Sequence, residues 1–478
     1  MWTKTERVLH VTMCLALLFT TIQAVKEDVP YTRDVRNKVF ERQALLEAYE
    51  EFGIDHHKCQ NEFEILKYAP MKDMTPASAS NSGIVSRGSS SSGGRALEQD
   101  TVIKAPIPPG ESWIISDVKP RNIWNDDMVT VSFKASAPKH DDWIAAYSPP
   151  DVNIEDTVPV KYGFCDDFNT GYLTNGVGTM TFNMTNLRAG VRFYYIIGGF
   201  KSETKQAVNS TAPMGTKAAM DLQFFDNNEQ LRPRVVPTGD LDEYTVMWSS
   251  NSPGAPTLEW SSDVKDVPGS VTDPKFTSAS SVNVGTGARL TITGKTTTIE
   301  KSELCGYPAN KEGWRDMGYI NSASLKGMRA LANQKVYYTF GDAASDKWTR
   351  WDGNGAQRVW ELFVPPLPGT QPPNRPTTIV WFDDLGRGSN DQAWTWNHYG
   401  EASIFTSKSV GHLAANGKID GIYHGGDLSY AVGYEVVWDF FMDMISPMAS
   451  HTLYMTTMGN HETDFPGTSS YYTGYDSG

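Results

Sequence analysis

The chain has 478 residues, of which 39% are hydrophobic and 12% aromatic, and carries a formal charge of −14 from 42 basic and 56 acidic side chains. That length exceeds what one hydrophobic core usually serves, so two or three domains are expected. The acidic balance argues against non-specific nucleic-acid binding. An anionic substrate would need a locally positive site, which metal ions supply most simply.

Lys4 and Arg7 precede an apolar run from Val8 to Ile22, and Ala24 is a suitable cleavage residue. These features predict a signal peptide over residues 1–24, with an uncleaved anchor as the alternative. The run is short for a membrane span, and no later stretch is apolar for long enough. The expectation is therefore a secreted protein without stable membrane insertion. Asn183-Met-Thr and Asn209-Ser-Thr are glycosylation candidates that suit a secreted chain. Cys14 lies in the signal, which leaves Cys59, Cys165 and Cys305, an odd number for disulfide pairing.

Residues 25–100 read as a helical and Ser/Gly-rich flexible segment. Val35, Val39, Leu46 and Tyr49 give Thr32–Phe52 a helical spacing that Gly53 stops. Thr75–Gly94 lacks the apolar side chains needed to offset ordering entropy. From Thr101 the pattern changes to short alternating runs: Val129, Val131 and Phe133, then Trp143–Ala145, then Val191–Ile197. Turn clusters separate them, which predicts a first β-sandwich over residues 101–200. Runs at Tyr244–Trp248, Leu258 and Trp260, Ala288–Ile292, Val336–Phe340 and Val359–Val364 predict a second over residues 215–366. Its many aromatics read as core packing rather than a sugar-binding face.

A Pro-rich linker between Pro365 and Pro376 separates this β-rich part from residues 377–478. There three apolar runs each end in a polar turn: Ile379–Phe382 before Asp383-Asp384-Leu385-Gly386, Ile422-Tyr423 before Gly426-Asp427-Leu428-Ser429-Tyr430, and Leu453–Met455 before Gly459-Asn460-His461-Glu462. Helical stretches lie between them, one with Phe405, Ser409 and Leu413 on one face and one with Val437, Phe440, Phe441, Met444 and Met448. Alternating strands and helices predict right-handed crossovers and a parallel sheet. The loops at the carboxyl ends of such strands converge on one crevice.

Asp384 and Asp427 are 43 positions apart, and Asn460 follows after another 33, which suits successive βαβ units. Hydrolysis of a phosphate ester needs a nucleophilic hydroxide and charge neutralisation on the phosphoryl group, and a pair of metal ions supplies both. A bridging carboxylate, a second carboxylate, an amide oxygen and a phenolate suit such a pair, and Asp427, Asp384, Asn460 and Tyr430 fill those roles. Asp is also favoured in ordinary turns and helix caps, so each residue alone would say little. His424, His398, His412 and His451 read as packed strand, helix or loop residues.

GGDLSY and GNHE at this spacing resemble the purple acid phosphatases of the calcineurin-like metallophosphoesterase superfamily. Cys305-Gly-Tyr-Pro-Ala-Asn310, Gly313-Trp-Arg-Asp-Met-Gly-Tyr319 and Asp141-Asp142-Trp143 look like the N-terminal β-domains of its long members. The resemblance implies fibronectin type III-like β-sandwich domains, with the family's N-terminal fibronectin-like domain at 215–366, then the first half of an α/β metallophosphoesterase domain. It also implies a binuclear centre of Fe(III) plus a divalent Fe, Zn or Mn. Asp384 and Tyr430 would bind the ferric ion, Asp427 would bridge, and Asn460 would bind the second ion. His461 would contact the phosphate or help protonate the leaving group. The implied activity is acidic hydrolysis of phosphate monoesters such as nucleotides or other organic phosphates. Phosphodiester or nucleotide pyrophosphate cleavage is the neighbouring alternative, and a non-catalytic extracellular β-sandwich protein with a phosphoesterase remnant is the alternative of another class.

Two departures qualify the resemblance. Asp383 stands where the family has glycine, and could shift the turn or point to solvent. The family's later Val-x-x-His and Gly-His-x-His motifs do not occur before Gly478. The expectation is a C-terminally truncated chain, inactive as written.

Overall fold

The computed structural model describes residues 96–97, 113–154, 157–201, 207–210, 221–271, 289–304, 306, 308–350, 357–372, 375–386, 403–431 and 433–462. The expected signal peptide, the helix at 32–52, the Ser/Gly-rich tether, Cys59, Cys305 and His398 lie outside those residues.

The first region contains β1 (Ala96–Leu97), β2 (Trp113–Lys119), β3 (Asn122–Ile123), β4 (Asp127–Ala135), β5 (Trp143–Tyr147), β6 (Lys161–Phe164), β7 (Val177–Met184), β8 (Val191–Lys201), β9 (Ala207–Ser210) and β10 (Asp221–Phe224). Strands β2, β4 and β7 form one sheet, and the others form a second in the order β3-β10-β8-β5-β6, with β1 and β9 also on β8. In β4 and β7 alternate side chains are buried, as a sheet with one wet face requires. Every residue of β5 is buried. The two inner faces meet over Trp113, Phe133, Trp143, Phe182 and Phe193. The strand set continues past residue 200, where the sequence reading ended it. Strand β8 gives one edge to β5 and the other to β10 and β9, so the chain must pass through residue 224 before that edge is paired.

The second region contains β11 (Leu231–Pro237), β12 (Glu243–Ser250), β13 (Pro256–Ser261), β14 (Leu290–Thr293), β15 (Lys295–Thr297), β16 (Tyr319–Lys326), β17 (Lys335–Asp342), β18 (Lys347–Trp348) and β19 (Trp360–Phe363). Strands β13, β14, β17, β18 and β19 make one sheet, and β11, β12, β15 and β16 face it. Trp248, Phe340 and Trp360 fill the space between, with ring centroids 5.2 and 6.3 Å apart in succession. Tyr244, Trp248, Trp260, Tyr338, Phe340 and Trp360 of this region are core.

The third region contains β20 (Ile379–Phe382), helix α1 (Ser403–Ala415), β21 (Gly421–His424), helix α2 (Val436–Ala449) and β22 (Leu453–Thr456). The three strands are parallel, in the order β22-β21-β20. They do not form a separate sheet, because β22 pairs in parallel with β11 through Leu453 and Val235. One seven-stranded sheet therefore runs from the second region into the third. Among the described residues no helix is long and apolar enough to cross a membrane.

Helix α2 buries Val437, Phe440, Phe441 and Met448 as its spacing predicts. Helix α1 does not follow its predicted face: Phe405 is exposed, and the buried positions are Ser403, Ser407, Val410, Gly411 and Ala414. Small residues on that side let α1 approach α2 closely. A Cβ at Gly411 would lie 3.0 Å from the Pro447 backbone, so closeness rather than apolarity chose the face.

Helix α2 joins two cores. Val436, Val437 and Phe440 pack into the first sandwich, while Phe441, Ile445 and Met448 cover the parallel strands. Arg188 bonds Asp439 at both carboxylate oxygens, at 2.8 and 2.6 Å. Arg232 approaches Asp439 at 2.8 Å and Asp443 at 3.2 Å. Burial works to raise the Asp439 carboxyl, but the two guanidiniums outweigh it and hold that carboxyl below its usual range.

Candidate metal centre

Each parallel strand is four residues long and gives way at its carboxyl end to one of the three turns. The first two turns are laced by backbone bonds from Asp384 N to Gly426 O (3.2 Å), Gly386 N to Leu428 O (2.9 Å) and Gly425 N to Phe382 O (2.9 Å). The third approaches so closely that a Cβ at Gly426 would lie 2.4 Å from the Gly459 nitrogen, and one at Gly459 would lie 2.1 Å from Asp427 Oδ1. The glycines at these two positions allow the contact.

Asp384, Asp427 and Tyr430 all have left-handed backbones, with φ of 52°, 52° and 53°. Asp tolerates this conformation better than Tyr, and each such residue costs on the order of 1 kcal/mol. The strain aims their side chains at one point. The Tyr430 hydroxyl donates to Asp384 Oδ1 at 2.6 Å and lies 3.2 Å from Asp427 Oδ2. Gly386 leaves room for the Tyr430 ring, whose Cδ2 would lie 3.0 Å from a Cβ there. Burial, and then the bonds and charges of Asp384 and Asp427, push the Tyr430 phenol well above its ordinary value.

Asp427 is buried, and its Oδ1 accepts the His461 N–H at 3.0 Å. The His461 ring is also buried, with its centroid 4.2 Å from that of Tyr430. Asp384 is exposed, as is Asn460, which lies between Gly459 and His461. The structure thus brings Asp384, Asp427, Tyr430 and His461 together, with Asn460 on the adjoining turn. Asp383 is exposed and accepts the Trp381 indole N–H at 3.0 Å. A Cβ at Gly425 would fall 1.7 Å from its Oδ1, so the added carboxylate rests on the neighbouring turn and leaves the converging position to Asp384.

Among the described residues no three His, Cys, Asp or Glu side chains form a cluster suited to a metal ion. The oxygens of Asp384, Asp427 and Tyr430 are a separate case: two carboxylates and a phenol are hard donors that fit a hard cation. Three other histidines among the described residues lie apart. His424 is buried on β21 with Nδ1 2.7 Å from the Tyr454 hydroxyl. His412 bonds Asn416, and His451 Nδ1 bonds the Glu361 carbonyl at 2.7 Å. Cys165 is buried as a free thiol in the first sandwich. Asn183 donates its side-chain amide to the Asp126 carbonyl at 3.0 Å.

One residue of the site carried no role in the sequence. Glu462 Oε2 accepts N–H bonds from Asp427 and Gly459, both at 2.8 Å, and its Oε1 accepts from Leu428 at 2.7 Å. Its place in GNHE was the only signal.

Residues 114–212, the first sandwich, match the Fn3-like domain from purple acid phosphatase. The purple acid phosphatase PPD1 of yellow lupin seeds superposes with a TM-score of 0.60 at 25% identity, over 77% of this chain and 60% of that one. This chain is similar to the purple acid phosphatases. It is 28% identical over 371 residues to an Arabidopsis thaliana protein named "Probable inactive purple acid phosphatase 1", which covers 74% of this chain and 53% of the relative. It is also 31% identical over 137 residues, 29% of this chain, to a Hordeum vulgare protein named "Nucleotide pyrophosphatase/phosphodiesterase", 34% of which is covered. The chain spans about half the length of the Arabidopsis relatives it matches.

Proposed function

We propose that this chain carries the carboxylate and phenolate half of a binuclear metal centre, and that the whole protein is a secreted acid phosphatase hydrolysing phosphate monoesters. The convergence of Asp384, Asp427 and Tyr430 from strained turns carries this reading. Asp427 would bridge, Asp384 and Tyr430 would hold the ferric ion, and Asn460 would hold a divalent Fe, Zn or Mn. Bound metal would supply a hydroxide nucleophile and neutralise phosphoryl charge. His461, placed by its N–H on Asp427, would hydrogen-bond the phosphate or protonate the leaving oxygen.

For the 478-residue chain alone the proposal is metal uptake without turnover, in keeping with the name of the Arabidopsis relative. The test loads the chain with iron and manganese, measures bound metal, and assays an aryl phosphate. Metal bound by the parent but not by Asp427→Asn, with no hydrolysis, is the expected result. No uptake by the parent defeats the metal assignment, and turnover with two metals per chain defeats the half-site reading. The barley relative's name favours nucleotide pyrophosphates or phosphodiesters as the second reading, which a substrate panel on the whole protein separates.

A further inference from the structure

We infer that Glu462 is the positioning residue of this centre: its carboxylate fastens the second and third turns to each other and so sets the placement of Asp427. The inference rests on the metal-centre reading for its consequence, but not for its geometry. Three backbone N–H groups from two turns converge on one side chain, those of Asp427 and Leu428 from the second and that of Gly459 from the third. Bonds from N–H groups to a charged acceptor are about twice as strong as neutral ones. Asp427 is thereby tied at two points of its own residue, its N–H to Glu462 and its Oδ1 to the His461 N–H.

The position is otherwise costly. A third carboxylate within one residue of His461 and in contact with the Asp427 backbone adds like charge beside Asp427. A residue present only to fill the turn would not need that charge. The left-handed backbone of Asp427 also needs external support, since relaxation of its φ would swing the carboxylate away from the Tyr430 hydroxyl. Such supporting contacts typically govern metal affinity by about 10- to 100-fold.

The two oxygens of Glu462 are unequal, and this makes the test specific. Oε2 serves two donors and Oε1 serves one. In Glu462→Gln the amide oxygen can keep the two-donor place while its NH2 faces the Leu428 N–H. Glu462→Ala removes all three acceptors. The full chain is compared as parent, Gln and Ala variants, by backbone amide exchange without metal and by manganese titration. Amides of β4 and β8 in the first sandwich serve as an internal check of folding.

Exchange at Leu428 should quicken by about 10-fold or more in the Gln variant, and at Asp427, Leu428 and Gly459 together in the Ala variant. Manganese affinity should fall by about 10-fold and about 100-fold respectively. Unchanged exchange at all three amides in the Ala variant overturns the positioning role. So does lost protection with undiminished manganese affinity. Failure of the parent to bind manganese instead overturns the metal-centre reading, and the exchange measurement still decides whether Glu462 holds the turns.

Discussion

Two acidic clusters in this molecule are treated in opposite ways. Along α2, Asp439 and Asp443 face the guanidiniums of Arg188 and Arg232, with Glu435 close by. In the turns, Asp384 and Asp427 face a phenol and backbone N–H groups, and Glu462 accepts three backbone N–H groups. Carboxylates neutralised by the chain's own cations are spent on architecture, here in fastening the first sandwich and β11 to α2. Carboxylates held by neutral donors keep their negative charge available to a cation from solution. On the proposed function, the same residue type would serve cohesion in one place and ligand capacity in the other.

The sharpest way to break this contrast is Asp439→Ala. It leaves Arg188 and Arg232 buried without their shared carboxylate, and should lower stability by about 3–5 kcal/mol in a urea titration. A loss under about 1 kcal/mol would mean that the junction is not held by charge.

Acid should separate the two clusters next. Burial pushes His424, directly beneath the first two turns, down to about 4, against the opposing pull of Asp383 and Asp384. Its folded-state value lies below the ordinary 6.5, so its contribution is full above about pH 6.5 and is lost as pH falls towards 4. The amount is up to about 3 kcal/mol. Asp443 behaves in reverse, because burial outweighs Arg232 and raises its carboxyl to about 7. Its contribution is full below about pH 4 and is lost as pH rises through 7. Amide protection in β21 should thus decline relative to that in α2 between pH 6.5 and 4.5, and an unchanged ratio would contradict the linkage.

The smallest expected effect is that of Asp427→Asn on stability. The amide keeps an oxygen for the His461 N–H and removes charge repulsion with Asp384, so unfolding should shift by less than about 1 kcal/mol. A loss comparable with Asp439→Ala would place Asp427 among the structural carboxylates instead.

Much of this was legible in the chain. Strands β4, β5, β8, β12, β13, β17 and β19–β22 fall where apolar runs placed them, whereas β2, β6, β7, β11 and β16 were not read from the sequence; the ordered series of strand, helix and polar turn placed the candidate ligands at the ends of parallel strands. The face of α1 was not legible. Phe405, Ser409 and Leu413 share a helical stripe, yet small residues at Ser403, Ser407 and Gly411 face inward, because what α1 buries depends on how near α2 comes. Glu462 was quoted within a motif but given no task, since three backbone donors converging on it cannot be seen in residue spacing.

By itself the sequence determined the positions of about half of the strands, the three turns and the candidate oxygen donors. These follow from local periodicity and from which residues tolerate a tight turn. Only the tertiary structure decided that β22 joins β11 in one sheet, that Arg188 meets Asp439 across 251 positions, and that Asp383 rests against Trp381 and the neighbouring turn. Each of those depends on which of several chemically equivalent partners comes within bonding distance, a property of the assembled chain rather than of any segment.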